Sequence, residues 1–219
     1  MGKNKLKRFE ENKERENIIE IGKPLYETIK GKWNELYFKN NNEIVLELAC
    51  GNGEYSVGLA EIFPDKNFIG VDVKGDRIWR GSGNAIEKGL KNVAFLRANI
   101  LEIEKFFAEK EVSEIWLIHP DPRPRKRDIK RRTTHPRYLE IYHKILKNNG
   151  LVRLKTDNII LFDYTREVLA ETPIKDYEFT HDLYNSPLYA EHHGIVTKYE
   201  KMFTAQGFKI NYLRFRFNH

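Results

Sequence analysis

The segment Glu47-Leu48-Ala49-Cys50-Gly51-Asn52-Gly53 places an acid four residues before the first of two glycines. Such glycines let a backbone pass close to a ligand without a Cβ clash. A helix that opens behind them offers free N–H groups and the positive end of its dipole. Asp72 stands nineteen residues after Gly53, where an acid commonly accepts the ribose hydroxyls of a bound nucleoside. The same acid would serve a turn or cap a helix. A dinucleotide fingerprint wants a third glycine at the position of Ser56,. Its absence disfavours a nicotinamide cofactor and favours S-adenosylmethionine, whose ammonium suits a carboxylate at Glu47. Asn99 is a candidate for the adenine edge, and equally a cap or turn residue.

A second constellation follows an apolar run, EIWLI: His119-Pro120-Asp121-Pro122-Arg123-Pro124-Arg125. Three alternate prolines stiffen this segment around Asp121. Residues 122–137 hold eight basic side chains against one acid, so they carry +7 of a net +6, and the other 203 residues sum to −1. Unpaired Arg and Lys are rarely buried, so the block is expected to stay exposed and to bind phosphate backbones by counterion release. A third site is Lys155-Thr156-Asp157-Asn158, where Asp157 is either a substrate contact or a helix cap,. In Thr197-Lys198-Tyr199-Glu200 the spacing of Thr and Glu also fits a capping box,. Cys50 has no basic neighbour to activate it as a nucleophile. His119 reads as a packed or hydrogen-bonded histidine.

These residues need a scaffold that gathers them. Short apolar runs at 44–49, 67–73, 93–97, 114–118 and 151–155 alternate with helical patterns at 54–62, 75–88, 136–146 and 158–170. That alternation predicts βαβ units and a mainly parallel sheet. Ligands then bind outside the carboxyl ends of the strands, the edge where Glu47, Asp72, Asp121 and Asp157 all fall. Helical spacing from Leu25 to Phe38 predicts a helix weakened at Gly31,. Residues 1–17 read as a flexible arm or an exposed helix. Near the C-terminus, 176–182 reads as a strand, 187–193 as a loop and 197–205 as a helix. In 208–217 the apolar positions switch parity, which predicts a bulge near Tyr212,.

Composition removes several classes. No run approaches the ~18 apolar residues of a membrane span, and no apolar signal-peptide core follows the charged start. The single Cys50 forms no intrachain disulfide and no multi-cysteine metal site, and no metal is expected,. A cytoplasmic protein is the expectation.

Taken together, Pro120-Asp121-Pro122-x-Pro124-Arg125-Lys126-Arg127, Lys130-Arg131-Arg132-x-Thr134-His135-Pro136, Lys155-Thr156-Asp157 and Thr197-Lys198-Tyr199-Glu200 resemble the tRNA (guanine-N7)-methyltransferase family. The likeness runs from about Gly31 to the C-terminus. It implies a Rossmann-like class I methyltransferase: a mostly parallel seven-stranded sheet with an antiparallel C-terminal strand and helices on both faces. Residues 25–219 would form this single domain behind a charged arm, 1–24. By resemblance, Glu47, Gly51, Gly53, Asp72, Asn99 and Asp121 contact S-adenosylmethionine, and Asp121 is catalytic. Arg125, Asp157, Thr197, Lys198, Tyr199 and Glu200 contact substrate, and Arg123, Lys126, Arg127, Lys130, Arg131 and Arg132 meet RNA phosphates. The implied partner is tRNA, methylated on a variable-loop guanosine by a monomer or homodimer with no obligatory protein partner and no membrane. Ala49 stands where the family usually has the first Gly of its turn, Arg123 where Trp is common, Arg125 where Lys is usual and Asn99 where Asp is frequent. In an amino-group methyltransferase, the loop after strand four ends in Pro-Tyr; here Arg123 and Pro124 remove that stacking aromatic,.

Overall fold

Strands covered on both faces read as continuous apolar runs, and the central strands of this protein obey that rule. A computed structural model describes residues 3–218. Strands β2 (Glu43–Leu48), β3 (Lys66–Asp72), β4 (Val93–Arg97), β5 (Val112–Ile118) and β6 (Leu146–Thr156) run parallel. Successive residues serve two cores: Ile115 and Leu117 of β5 face one, Trp116 and Ile118 the other. Helices α2 (Glu54–Ile62), α3 (Gly75–Glu87), α4 (Pro136–Ile145) and α5 (Ile159–Ala170) are the crossovers between these strands and the link into β7.

The sheet order is β1-β4-β3-β2-β5-β6-β8-β7. The C-terminal strand β8 (Asn211–Phe217) lies antiparallel between β6 and β7 (Ile174–Thr180). The class I methyltransferase architecture expected from the sequence is therefore present, with eight strands instead of seven. The extra strand is β1 (Ile18–Ile19), which pairs with Phe95 and Leu96 at the edge of the sheet. It is preceded by helix α1 (Lys3–Glu14), which lies on α3: Asn12 Nδ2 donates to Gly75 O at 2.9 Å, and the Arg15 guanidinium sits 4.9 Å from the Trp79 ring centroid.

Two local expectations are corrected. Leu25–Phe38 is not one helix: a 3-10 turn at Pro24–Glu27 and a π-helical turn at Trp33–Phe38 are separated by Gly31, whose φ of 72° lies in the left-handed region. Trp33 is buried there, and its indole N–H donates to Phe106 O at 2.8 Å. No bulge occurs at Tyr212. The β6–β8 register is unbroken from Leu151 opposite Arg216 to Thr156 opposite Asn211. Phe208–Ile210 precede the strand, which explains the parity switch, and the irregularity lies across the ladder in β7 at Asp176, φ 52°. The segment read as a loop at 187–193 is largely a 3-10 helix, Pro187–His192. Helix α6 (Lys198–Ala205) completes the chain before β8.

Candidate functional site

Strands β3, β2, β5 and β6 are consecutive and parallel, so their carboxyl ends share one edge. After β2 the chain turns sharply, with Ala49, Gly51 and Gly53 at φ of 59°, 55° and 66°. A Cβ on Gly53 would strike the Phe95 ring, so the close approach of turn and sheet requires glycine there. Asp72 closes this turn: Oδ2 accepts from Gly51 N at 2.9 Å and Oδ1 from Lys74 N at 2.8 Å. Glu47 is 5% exposed and accepts from the Ser56 N–H at 2.7 Å and from its hydroxyl. The residue that replaces the third glycine thus secures the acid of the preceding strand. Burial pushes the Glu47 carboxyl up to about 7, against the lowering effect of the Ser56 bonds. Cys50 is buried and its thiol is pushed up by that burial, which disfavours the reactive thiolate,.

These residues suit S-adenosylmethionine. Each Asp72 oxygen is oriented by one backbone N–H and retains a lone pair for a ribose hydroxyl,. The position of a Cβ on Gly51 is open space. Glu47 is a buried acid whose charged form a cofactor ammonium would favour. Asn99 caps the 3-10 helix Ile100–Lys105 through its side-chain oxygen, accepting from Leu101 N at 3.1 Å. Its amide nitrogen is left for another acceptor.

At the end of β5, Asp121 is exposed and clasped by Arg123: Oδ1 accepts from Arg123 N at 3.2 Å, and Oδ2 lies 3.2 Å from Arg123 Nε. Lys126, Arg127, Lys130 and Arg131 are exposed on a 3-10 turn, Lys126–Arg131, and Arg125 is exposed at the extended position just before it. Arg132 departs from the expected exposure. It is buried, donates Nε and Nη2 to Arg123 O at 3.3 Å each, and lies 4.4 Å from the Tyr164 ring centroid. It braces the loop that holds Asp121, and its guanidinium is not presented to solvent.

At the end of β6, the α5 cap is Asn158, which accepts from Leu161 N at 2.9 Å. Asp157 is therefore free of capping, and Oδ1 instead meets His119 Nδ1 at 2.9 Å. A cleft of about 360 Å³ opens beside Asp157, walled by Ile159, Ile160, Phe208 and Asn211. Beneath Asp157 lies a buried charged cluster. Glu200 is fully buried, with Lys155 Nζ at 2.8 Å from Oε2, His192 Nε2 at 2.8 Å and Tyr184 OH at 3.0 Å from Oε1. Burial alone would raise the Glu200 carboxyl, but the nearby His119 ring, the bond from His192 and the Lys155 charge hold it well below the usual range. Burial lowers the Lys155 ammonium, with Glu200 opposing.

The motif Thr197–Glu200 is thus divided. Thr197 caps α6 by accepting from Glu200 N at 3.2 Å. Glu200 turns inward instead of closing a capping box and offers no surface to a substrate. Lys198 and Tyr199 are exposed, and Lys198 N donates to Glu54 Oε2 at 3.0 Å, tying α6 to the helix behind the glycine turn.

A family model described as "Putative methyltransferase" matches residues 41–213. A tRNA (guanine-N(7)-)-methyltransferase of Cytophaga hutchinsonii is 49% identical over 219 residues, covering 99% of each chain. The enzyme of the same name from Bacteroides fragilis is 45% identical, covering 98% of this chain and 86% of its own. The chain belongs to the tRNA (guanine-N7)-methyltransferase family. Solved methyltransferase structures at 15–16% identity share the fold. The 16S rRNA methyltransferase KamB superposes with a TM-score of 0.63 at 15% identity, covering 91% of this chain and 95% of that one. An antibiotic-related methyltransferase gives 0.59 at 16% identity, covering 83% and 90%.

Within this family member, His192, Tyr184 and Glu191 join the buried charged network although no motif marks them in the sequence. Arg153 bonds Tyr212 OH at 2.9 Å and pairs with Glu114 at 2.8 Å and with Glu191, which also pairs with Arg214 at 2.8 Å. These pairs clamp segment 183–196 onto the sheet edge. The available signal was Arg153 and Lys155 alternating with Val152 and Leu154 in an otherwise apolar strand: basic residues there need buried acids.

Proposed function

We propose that this protein transfers the methyl group of S-adenosylmethionine to guanine N7 in tRNA, at the variable-loop guanosine. The observation that carries the reading is the convergence, at one sheet edge, of an acid-bearing glycine turn with a ridge of exposed basic residues. The chain that bears them is 49% identical to a protein named for this reaction. When bound, S-adenosylmethionine supplies an electrophilic methyl on a sulfonium. Glu47 holds the ammonium of its methionine part, Asp72 the ribose hydroxyls, and Asn99 the adenine edge, with Gly51 and Gly53 admitting the ligand to the backbone.

Guanine N7 carries its own lone pair, so no general base has to remove a proton before transfer. The protein's tasks are alignment and stabilisation of positive charge growing on the purine. Asp121 supplies a carboxylate for that charge and borders the cofactor. Asp157, freed from capping, holds the guanine N1 and N2 edge from the wall of a cleft of about 360 Å³, a volume in the range of small-molecule sites. Arg125, Lys126, Arg127, Lys130 and Arg131, with the partly exposed Arg123, grip phosphates, and Lys198 and Tyr199 add contacts from α6. The work takes place in the cytoplasm; among the described residues no helix is long and apolar enough to cross a membrane.

The deciding experiment is nucleoside mass spectrometry of tRNA incubated with the protein and labelled S-adenosylmethionine. Label in 7-methylguanosine is expected. Label in an N2-methylated guanosine would replace this reading with amino-group transfer, and tight tRNA binding without label would reduce the chain to a binding subunit.

A further inference from the structure

His119 stands at the junction of the exposed site and the buried cluster. Its side chain is 4% exposed, with Nδ1 2.9 Å from Asp157 Oδ1 and Nε2 3.7 Å from Glu200 Oε2. Nε2 has no hydrogen-bond partner, and Glu200 Oε2 has none beyond the ion-paired Lys155 ammonium, so these two buried atoms face one another. A neutral imidazole has one N–H and one lone pair. With the proton on Nδ1, the Nε2 lone pair points towards the Glu200 carboxylate. With the proton on Nε2, the Nδ1 lone pair meets Asp157 at hydrogen-bond distance. Only the imidazolium presents a proton to both acids.

The backbone also holds the ring in place. His119 has φ 44°, in the left-handed region, while its N–H donates to Lys155 O at 2.8 Å. A non-glycine residue there is strained, and such outliers persist where surrounding contacts over-determine them.

We propose that His119 is a positioning residue: an imidazolium strut between Glu200 and Asp157 that fixes one Asp157 oxygen and leaves the other for the guanine edge. This rests on the reading that Asp157 holds guanine. Glu200 is the fixed counter-charge, itself secured by Lys155, His192 and Tyr184.

The groups facing the strut come from every adjoining element. Lys155 and Asp157 belong to β6 and Glu200 to α6. Tyr184 and His192 come from the 183–192 segment. Tyr55 of α2 lies under Lys155 at 4.7 Å, and Glu47 of β2 acts on Lys155. Burial and the Lys155 ammonium oppose the imidazolium, but the hydrogen bond to Asp157 and the Glu200 carboxylate facing Nε2 outweigh them and raise the His119 pKa above its ordinary value. The strut is therefore intact below that raised pKa and is lost as pH rises through it.

The test is the pH profile of methyl transfer to tRNA under saturating cofactor, for the wild type and for His119→Gln. A glutamine amide can donate to Asp157 but does not titrate. The wild type is expected to lose kcat/KM along an alkaline limb. His119→Gln should lower kcat about 10- to 100-fold, the loss expected for one charge-assisted bond, flatten that limb and leave cofactor affinity unchanged. An unchanged rate with an unchanged limb would overturn the proposal.

Nitrogen NMR of the wild-type ring supplies a readout that needs no variant to fold. Both His119 nitrogens should carry protons on the acid side of its titration, with the midpoint above the ordinary histidine value, and a ring that stays neutral there, or a midpoint at or below that value, would overturn the strut. Asp157→Asn separates the two readings. Full activity of Asp157→Asn removes the guanine role, and with it the purpose of the strut. Impaired Asp157→Asn beside an unimpaired His119→Gln overturns the strut alone.

Discussion

Lys155 Nζ lies 2.8 Å from Glu200 Oε2, and both side chains are wholly shut off from solvent. The pair joins the last parallel strand to helix α6 and fixes the segment between them against the carboxyl edge. Removing one partner of a buried pair strands the other charge, at about 3–5 kcal/mol. Glu200→Ala is expected to lose that much in urea unfolding. Lys155→Met combined with Glu200→Leu should lose less than the two single changes together, because no charge is left unpaired.

Glu47 makes the cofactor site sensitive to pH. Its carboxyl is raised from 4.5 to about 7 by burial, so the folded protein binds a proton there that the unfolded chain has released. For a raised acid, the stabilising contribution is present below 4.5 and is lost as pH rises towards about 7,. Cofactor binding should show the opposite trend, because the ammonium favours the carboxylate. S-adenosylmethionine affinity, measured calorimetrically, is expected to rise through neutral pH in the wild type and to lose that dependence in Glu47→Gln.

Ala49 occupies a φ of 59° in the turn after β2. An L-residue there costs about 1–2 kcal/mol, of which glycine's greater unfolded entropy returns about 0.5–1 kcal/mol. Ala49→Gly is therefore expected to raise stability by about 0.5–1 kcal/mol in thermal unfolding, with the cofactor constant little altered.

The basic loop separates phosphate-binding cations from a structural arginine. Neutralising Lys126 and Arg127 should weaken tRNA binding and lower the slope of log affinity against log salt by about 0.7–0.9 for each phosphate no longer neutralised. Arg132→Ala should leave that slope unchanged. Its effect is expected in slower methyl transfer and in faster proteolysis of the 122–131 loop, since its bonds to Arg123 O and its stacking on Tyr164 brace the chain around Asp121.

Much of this was legible in the chain because the signals were local. The apolar runs at Val93–Arg97 and Glu54–Ile62 coincide with β4 and α2, since burial on both faces and 3.6-residue periodicity leave direct imprints on sequence. Leu25–Phe38 misled because its apolar spacing satisfies two short turns broken at Gly31 as well as it would one helix. The switch of parity before β8 was a strand boundary, because apolar residues in a loop follow whatever surface they reach.

The sequence alone determined the chemistry on offer: acids at the ends of strands, a glycine turn, a basic block beside Asp121 and the motifs of a methyltransferase family. These are covalent facts and short-range spacings. Only the tertiary structure decided which charges face water and which face one another. It turned Glu200 and Arg132 inward, gave the α5 cap to Asn158 and so released Asp157, and brought His119 within reach of Asp157 and Glu200. The partners in those contacts are up to 81 residues apart along the chain, and side-chain direction across such distances follows from packing, which no local pattern encodes.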